Sequence, residues 1–198
     1  MEQPTYIPEQ KEGKALDIEE TITASGEAEA REIFNRAKNR LLHPGEWQKI
    51  SGSLTAEFKL AAQESPDAIA RVNDHIRIDI PGPGSVTGEG YDWVRIDDIQ
   101  TDPEKAADES FLITLRPSDN PEKLSEDTAH FFQSNATSSF LLLRKGATVS
   151  ARYHGRNEIA NTEDVPVTDK VRNALVAGAA KAGISEIQWK SLVSGLLK

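Results

Sequence analysis

Cysteine is absent from all 198 residues, which removes disulfide scaffolds, thiolate nucleophiles and cysteine-ligated zinc or iron–sulfur centres in one step. Clustered cations are missing as well. No run of Lys and Arg exceeds two residues and the formal net charge is -9, so the chain lacks the basic stripe from which nonspecific nucleic-acid binding draws its affinity. No stretch approaches the ~18 consecutive apolar residues of a membrane span. The opening MEQPTYIPEQKEGKALDIEE has neither the basic nor the apolar region of a secretory signal. These absences predict a cytoplasmic protein with no nucleic-acid and no membrane partner. The histidines are few and scattered (His43, His75, His130, His154), with no HExxH pair. Asp97, Asp98 and Asp102 lack the glycine and closing glutamate of a calcium loop, so neither a metal nor a cofactor is expected.

What the chain does contain is one good core's worth of patterned apolar residues. Its length suits a single domain, read here as residues 17–198 behind a flexible acidic tail, 1–16. The prolines and charges of that tail bury too little to offset its ordering entropy. Leu16 to Thr23 alternates as a first strand. Ser25 is placed to cap a helix whose Ala30, Ile33, Phe34, Ala37 and Leu41 form one apolar stripe, ended by His43-Pro44-Gly45. Strands follow at Thr55–Leu60, at Ile76–Ile80, at Tyr91–Ile99 and at Phe111–Leu115. In the third of these, Asp97-Asp98 marks a bulge, because Ile96 and Ile99 break strict alternation. Ala129–Phe132 suits a short strand or a helical turn.

Phe140 to Leu143 is apolar on both faces and predicts a central strand. It turns at Lys145-Gly146 into a partner whose Val149, Ala151 and Tyr153 oppose Ser150, Arg152 and His154. Two helices close the chain. Thr168 to Ala182 carries a small-residue surface (Ala174, Ala177, Gly178, Ala179, Ala180) and ends at Gly183. The last has Ser185 and Gln188 as a capping box, Ile184 and Trp189 as a hydrophobic staple, and the stripe Leu192, Val193, Leu196, Leu197. The fold class is therefore α+β: a curved antiparallel sheet of about six or seven strands packed against an N-terminal helix and two C-terminal helices. In element order this resembles the helix-grip arrangement of Bet v 1-like and START domains, in which a sheet wraps a C-terminal helix. The break at Gly183 departs from the single long helix of that family.

Two groups of residues are candidates for chemistry. Arg152, His154, Arg156, Asn157 and Glu158 put two cations, an imidazole, an amide and a carboxylate within seven residues, a set able to hold a ligand, with His154 able to act as acid or base. The plainer reading is a solvated face whose Arg and Glu pair across strands. The second group is the loop PGPGSVTGEG with Gly82, Gly84, Gly88 and Gly90. It lacks the Lys-Ser/Thr of a Walker loop and runs into a strand rather than a helix, so it reads as a connection or a lid, with Tyr91 and Trp93 at the mouth of any cavity beside it. No constellation meets the demands of a known reaction class. The expectation is a non-enzymatic binding protein for a small apolar ligand or a protein partner. The alternatives are a hydrolase or isomerase using His154 with Arg152 or Glu158, and an assembly protein, for instance a homodimer, joined through the last helix.

Overall fold

The Phe140–Leu143 run lies on a strand that is third of seven in one antiparallel sheet, and its interior position is why Phe140, Leu141 and Leu142 are wholly buried from both sides. The computed structural model describes residues 7–52, 56–62, 65, 67–80, 87–105, 108–123, 128–162, 168–170, 173 and 184–198. The strands are β1 (Lys14–Thr23), β2 (Glu57–Leu60), β3 (His75–Asp79), β4 (Asp92–Lys105), β5 (Asp108–Pro117), β6 (Thr137–Lys145) and β7 (Thr148–Glu158). They are ordered β1-β7-β6-β5-β4-β3-β2, with every pair antiparallel. The expected bulge is present. The β4–β5 register shifts between Ile96 and Asp98, which leaves Asp97 to Arg95 and Arg116 and turns Ile96 and Ile99 to the same side.

Among the described residues, one face, here the inner face, is covered by α1 (Glu27–Leu41), α2 (Trp47–Ser51) and α3 (Ile184–Leu197). The α1 stripe Ala30, Ile33, Phe34, Ala37 and Leu41 is buried as its spacing predicts. The cap differs from expectation. Gly26 is the capping residue, and Ser25 stands one position outside it, donating from its hydroxyl to Glu29 Oε2 at 2.5 Å. On α3, Leu192, Val193, Leu196 and Leu197 enter the core, whereas Trp189 is only half-buried against it. Arg40 of α1 donates to the carbonyls of Gly195 (2.9 Å) and Leu196 (3.2 Å), groups a helix end leaves without partners. Gly195 also lets α3 meet α2, since a Cβ there would lie 2.3 Å from the Ile50 carbonyl oxygen.

Strand, helices, six further strands and a terminal helix against the inner face make the helix-grip order expected from the sequence. Of the first C-terminal helix, residues 168–170 and 173 are helical. Ala174, Ala177, Gly178, Ala179, Ala180, Ala182 and Gly183 lie outside the described residues. The described part of α3 begins at Ile184, and the side chains of Ile184 and Ser185, expected in the staple and the capping box, lie outside the described residues too. Ala129–Phe132 forms a single bridge, Phe132 to Ala160, rather than a strand or a helix.

The segment read as a flexible tail is held from Glu9 onward, and β1 starts at Lys14 rather than Leu16. Asn157 is the anchor. Its Oδ1 accepts the backbone N–H groups of Lys11 and Glu12, its Nδ2 donates to the Glu9 carbonyl, and its own N–H donates to Gln10 Oε1. Composition could not show this, because the ordering comes from one amide meeting backbone rather than from apolar burial.

Candidate functional site

Alternation along β7 sends Tyr153 to the inner face and Arg152 and His154 to the outer one. On the outer face His154 Nδ1 lies 2.5 Å from Asp17 Oδ1, and Arg156 donates to the same oxygen at 2.7 Å. Arg152 reaches Glu19 at 2.8 Å. All three acceptor-side contacts come from β1, whose Asp17 and Glu19 stand opposite His154 and Arg152 in register. The His154 and Arg156 side chains are 10% and 5% exposed, and Asp17 is 54% exposed.

The protonation states follow from this packing. Burial pushes the His154 pKa down, and the Arg156 and Arg152 cations add to that against the pull of Asp17. Burial works against ionisation of Asp17, but hydrogen bonds from Arg156 and His154 outweigh it and hold the carboxyl below its ordinary value. Burial thus favours the neutral imidazole over the imidazolium, with Nδ1 facing the Asp17 carboxyl. An imidazole oriented this way is the base half of a nucleophilic triad. Ser139 of β6 stands opposite His154 in register. However, Ser139 is wholly buried, its hydroxyl is shared with Thr114 at 3.0 Å, and His154 Nε2 is buried without a partner among the described residues. With this nitrogen buried, the contacts the cluster makes run between β1 and β7.

The inner face is built differently. The Tyr153 ring is buried and stacks on Trp189 with centroids 5.0 Å apart and planes 15° from parallel. Phe140 meets both rings (5.2 and 5.6 Å), and Phe58 meets Trp189 at 6.2 Å. The Tyr153 hydroxyl lies 3.0 Å from Ser138 Oγ and donates over 3.5 Å to Glu158 Oε1. Ser138, Glu158 and Trp189 are each partly exposed around it.

Glu158 reaches the inner face because Asn157 takes a left-handed φ of 55°, which breaks the strand's alternation. Gly155 leaves the room. A Cβ there would sit 2.3 Å from Glu158 Oε1 and 3.1 Å from the Tyr153 hydroxyl. Burial raises the Glu158 pKa, with Lys14, the Tyr153 hydrogen bond and Arg156 pulling the other way, and burial likewise raises that of the Tyr153 phenol.

The residues expected to act together are thus separated. Arg152, His154 and Arg156 stay on the outer face, Glu158 joins Tyr153 on the inner one, and Asn157 binds the N-terminal segment. Glu158 is no partner for His154, because the left-handed turn carries it through to the other side. Tyr91 and Trp93 belong to the β3–β4 region, three strands from β7, on the order of 14 Å. Trp93 is 1% exposed and donates its indole N–H to the Gly88 carbonyl at 3.1 Å, so it lies beneath the loop and not at a mouth. Tyr91 is half-buried under the Arg77 guanidinium, 4.4 Å from its ring centre. Gly88 is held close to Tyr91, Gly90 has φ 97°, and Gly82 and Gly84 lie outside the described residues.

Sequence reasoning missed Asp17, Ser138 and the pairing of Trp189 with Tyr153. Asp17 carried the one available signal, an acidic residue alternating on a strand. Hollows on the surface are lined by described residues. One of about 400 Å³ lies along Glu27, Arg31 and Glu32, and one of about 50 Å³ lies between Lys59, Arg77 and Tyr91; both are open and bordered by charged groups. Neither is the closed apolar pocket that a cavity protein implies. Among the described residues no three His, Asp or Glu side chains gather as metal ligands, and no helix is long and apolar enough to cross a membrane.

No protein family model and no curated protein matches the chain. Among solved structures it is similar to the Zhui aromatase/cyclase from Streptomyces sp. R1128, at 10% identity over 92% of that chain and 93% of this one, with a TM-score of 0.45. It is similar also to a protein from Arthrobacter aurescens, at 9% identity over 85% of that chain and 92% of this one (TM-score 0.44). A third is Ara h 8.0201, at 12% identity over 99% of that chain and 93% of this one (TM-score 0.38). No ligand or activity is carried over from likenesses this distant.

Proposed function

We propose that this chain is a non-enzymatic binding protein that holds a small, largely apolar molecule at the inner face, where β7 ends beside α3. The observation that carries the reading is the Tyr153–Trp189 stack. It is a continuous aromatic surface whose outer ring, Trp189, is left partly exposed next to a hydroxyl and a carboxyl. Ligand sites combine an apolar wall with a few convergent polar groups in this way. The enzyme reading loses support because His154 Nε2 is closed off. Assembly through the last helix loses it because the stripe Leu192, Val193, Leu196 and Leu197 is spent on the chain's own core, leaving Ile187 as the one large apolar residue of α3 exposed among those described.

Calorimetric titration with naphthalene, a flat apolar probe, tests the proposal. Saturable binding is expected, weakened about tenfold or more by Trp189→Ala and unchanged by Arg152→Ala on the outer face. Binding that survives Trp189→Ala but is lost in Arg152→Ala would overturn it, as would no binding at all.

A further inference from the structure

The outer face carries a second group of charges at the opposite edge of the sheet from β1, and its register differs from that of the β1–β7 contacts. Where β1 meets β7, Glu19 stands opposite Arg152 and the two pair at 2.8 Å. Where β2 meets β3, like stands opposite like: Lys59 faces Arg77 and Glu57 faces Asp79. These four alternate with Phe58, Leu60, Ile76 and Ile78 of the core, so all four share the outer face. Like charges directly across an antiparallel pair cost stability. Exchanging Glu57 and Lys59 would remove that cost at both rungs. The arrangement instead sorts charge by sign, a cationic rung one step of ~7 Å along the strand from an anionic one. Lys59 is drawn along its own strand to Glu57 at 2.7 Å. Arg77 lies on the Tyr91 ring, 4.4 Å from its centre, and among the described residues the side chains of Arg77 and Asp79 have no ion pair or hydrogen bond. All five side chains line the open hollow of about 50 Å³. That exceeds the ~30 Å³ share of one water and falls far below the ~300 Å³ at which pockets for whole metabolites begin.

We infer that this hollow is a seat for the head group of an α-amino acid, a carboxylate with an ammonium beside it, bound between Arg77 and Asp79. A guanidinium laid flat on an aromatic ring has its plane fixed and its N–H edge free, the form in which arginine takes a carboxylate in a two-point contact. An ammonium offers three donors and suits the unpaired carboxylate of Asp79. Hydrogen bonds of ~2.8 Å at either end of a head group whose two charges share one carbon span the ~7 Å step between the rungs. A lone anion is disfavoured because Glu57 and Asp79 border the same hollow, and a lone cation because Lys59 and Arg77 do. The dipolar head group meets each half with the opposite sign. The hollow admits that head group and leaves the rest of the ligand in water, so the seat selects amino acids as a class and not one among them. It lies across the sheet from the aromatic wall and is independent of the binding proposal above.

Nitrogen–proton spectra of the full chain at neutral pH and fixed ionic strength, recorded with glycine, acetate and methylammonium in turn, test the seat. Glycine is expected to move the Arg77 Nε–H and Tyr91 backbone N–H signals saturably in the millimolar range. Acetate and methylammonium, each one half of the head group, should bind about tenfold or more weakly. Arg77→Gln and Asp79→Asn should each abolish the glycine response at Tyr91, and Tyr91→Leu, which removes the ring that fixes the guanidinium, should weaken that at Arg77. Arg152→Ala at the other edge of the sheet should leave binding as it was. The Trp47 indole signal, from the middle of the core, reports that each variant is folded. Signals that glycine does not move, a response that acetate equals in strength, or one that survives Arg77→Gln would overturn the seat, and each of these results leaves the inner-face proposal standing.

Discussion

Arg152, His154 and Arg156 face away from the helices and Tyr153 faces toward them, and the two sides of this one strand differ in how tightly their polar contacts are drawn. On the outer face Asp17 accepts from two buried donors at 2.5 and 2.7 Å, while His154 Nε2 and Arg152 Nε are buried without a partner among the described residues. On the inner face the Tyr153–Glu158 contact stretches to 3.5 Å, and Glu158, Ser138 and Trp189 stay partly open to water. The difference teaches that a concentration of ionisable residues can be drawn into short contacts between strands. The richer cluster ties β1 to β7 through short contacts, and the sparser one, set against aromatic rings, stays partly open to water.

The largest effect expected falls on the inner face. Trp189→Ala removes the ring that contacts Tyr153, Phe140 and Phe58, and should cost about 3 kcal/mol, the low end for a large aromatic because this one is half-exposed. Urea denaturation checks this, and a loss under about 1 kcal/mol would show that the wall contributes little to docking α3. Asp17→Ala comes next on the outer face. It leaves Arg156 buried without its carboxylate, and the usual loss of about 3–5 kcal/mol for breaking a buried pair is reduced to about 2 by the exposure of Asp17. An unchanged midpoint would mean that β1 and β7 need no staple.

Acid and base should separate the faces by sign. The folded His154 pKa lies below the ordinary 6.5, so the unfolded chain takes up its proton first and stability falls as pH drops below about 6.5. His75 is shifted the same way by burial and adds to that slope. His154→Gln should therefore flatten only part of it. Glu158 is raised, so its contribution to stability is full below the ordinary 4.5 and is lost as pH rises through the folded value. Glu158→Gln should then stabilise the protein at neutral pH and not at pH 4. Stability curves of the two variants that move in the same direction would contradict the assignment of the two faces. The smallest effect belongs to Arg152→Ala, which removes a partly exposed pair with Glu19 and should change stability by no more than about 1 kcal/mol in thermal melts.

The sequence made the fold legible wherever periodicity governs burial. The inward Tyr153 and outward His154, the central Phe140–Leu142 strand, the bulge at Asp97 and the α1 stripe all follow from spacing. The site was legible only in part, for two reasons. Asp17 lies 137 residues from His154, and nothing in either segment shows that β1 adds beside β7. Glu158 crosses to the inner face through a left-handed Asn157, a backbone choice that alternation does not anticipate. Trp93 was misplaced for a related reason. Its neighbours suggested an opening, but its indole N–H had a buried carbonyl at Gly88 to satisfy.

The three tryptophan indoles offer a direct test, because each reports from a different place. Trp189 lies on the proposed wall, Trp47 is wholly buried with its N–H given to the Arg40 carbonyl, and Trp93 sits under the glycine loop. Nitrogen–proton correlation spectra recorded during a titration with naphthalene should show the Trp189 indole signal moving saturably while those of Trp47 and Trp93 stay in place. Movement of Trp93 with Trp189 unmoved would put the ligand at the loop and contradict the inner-face site.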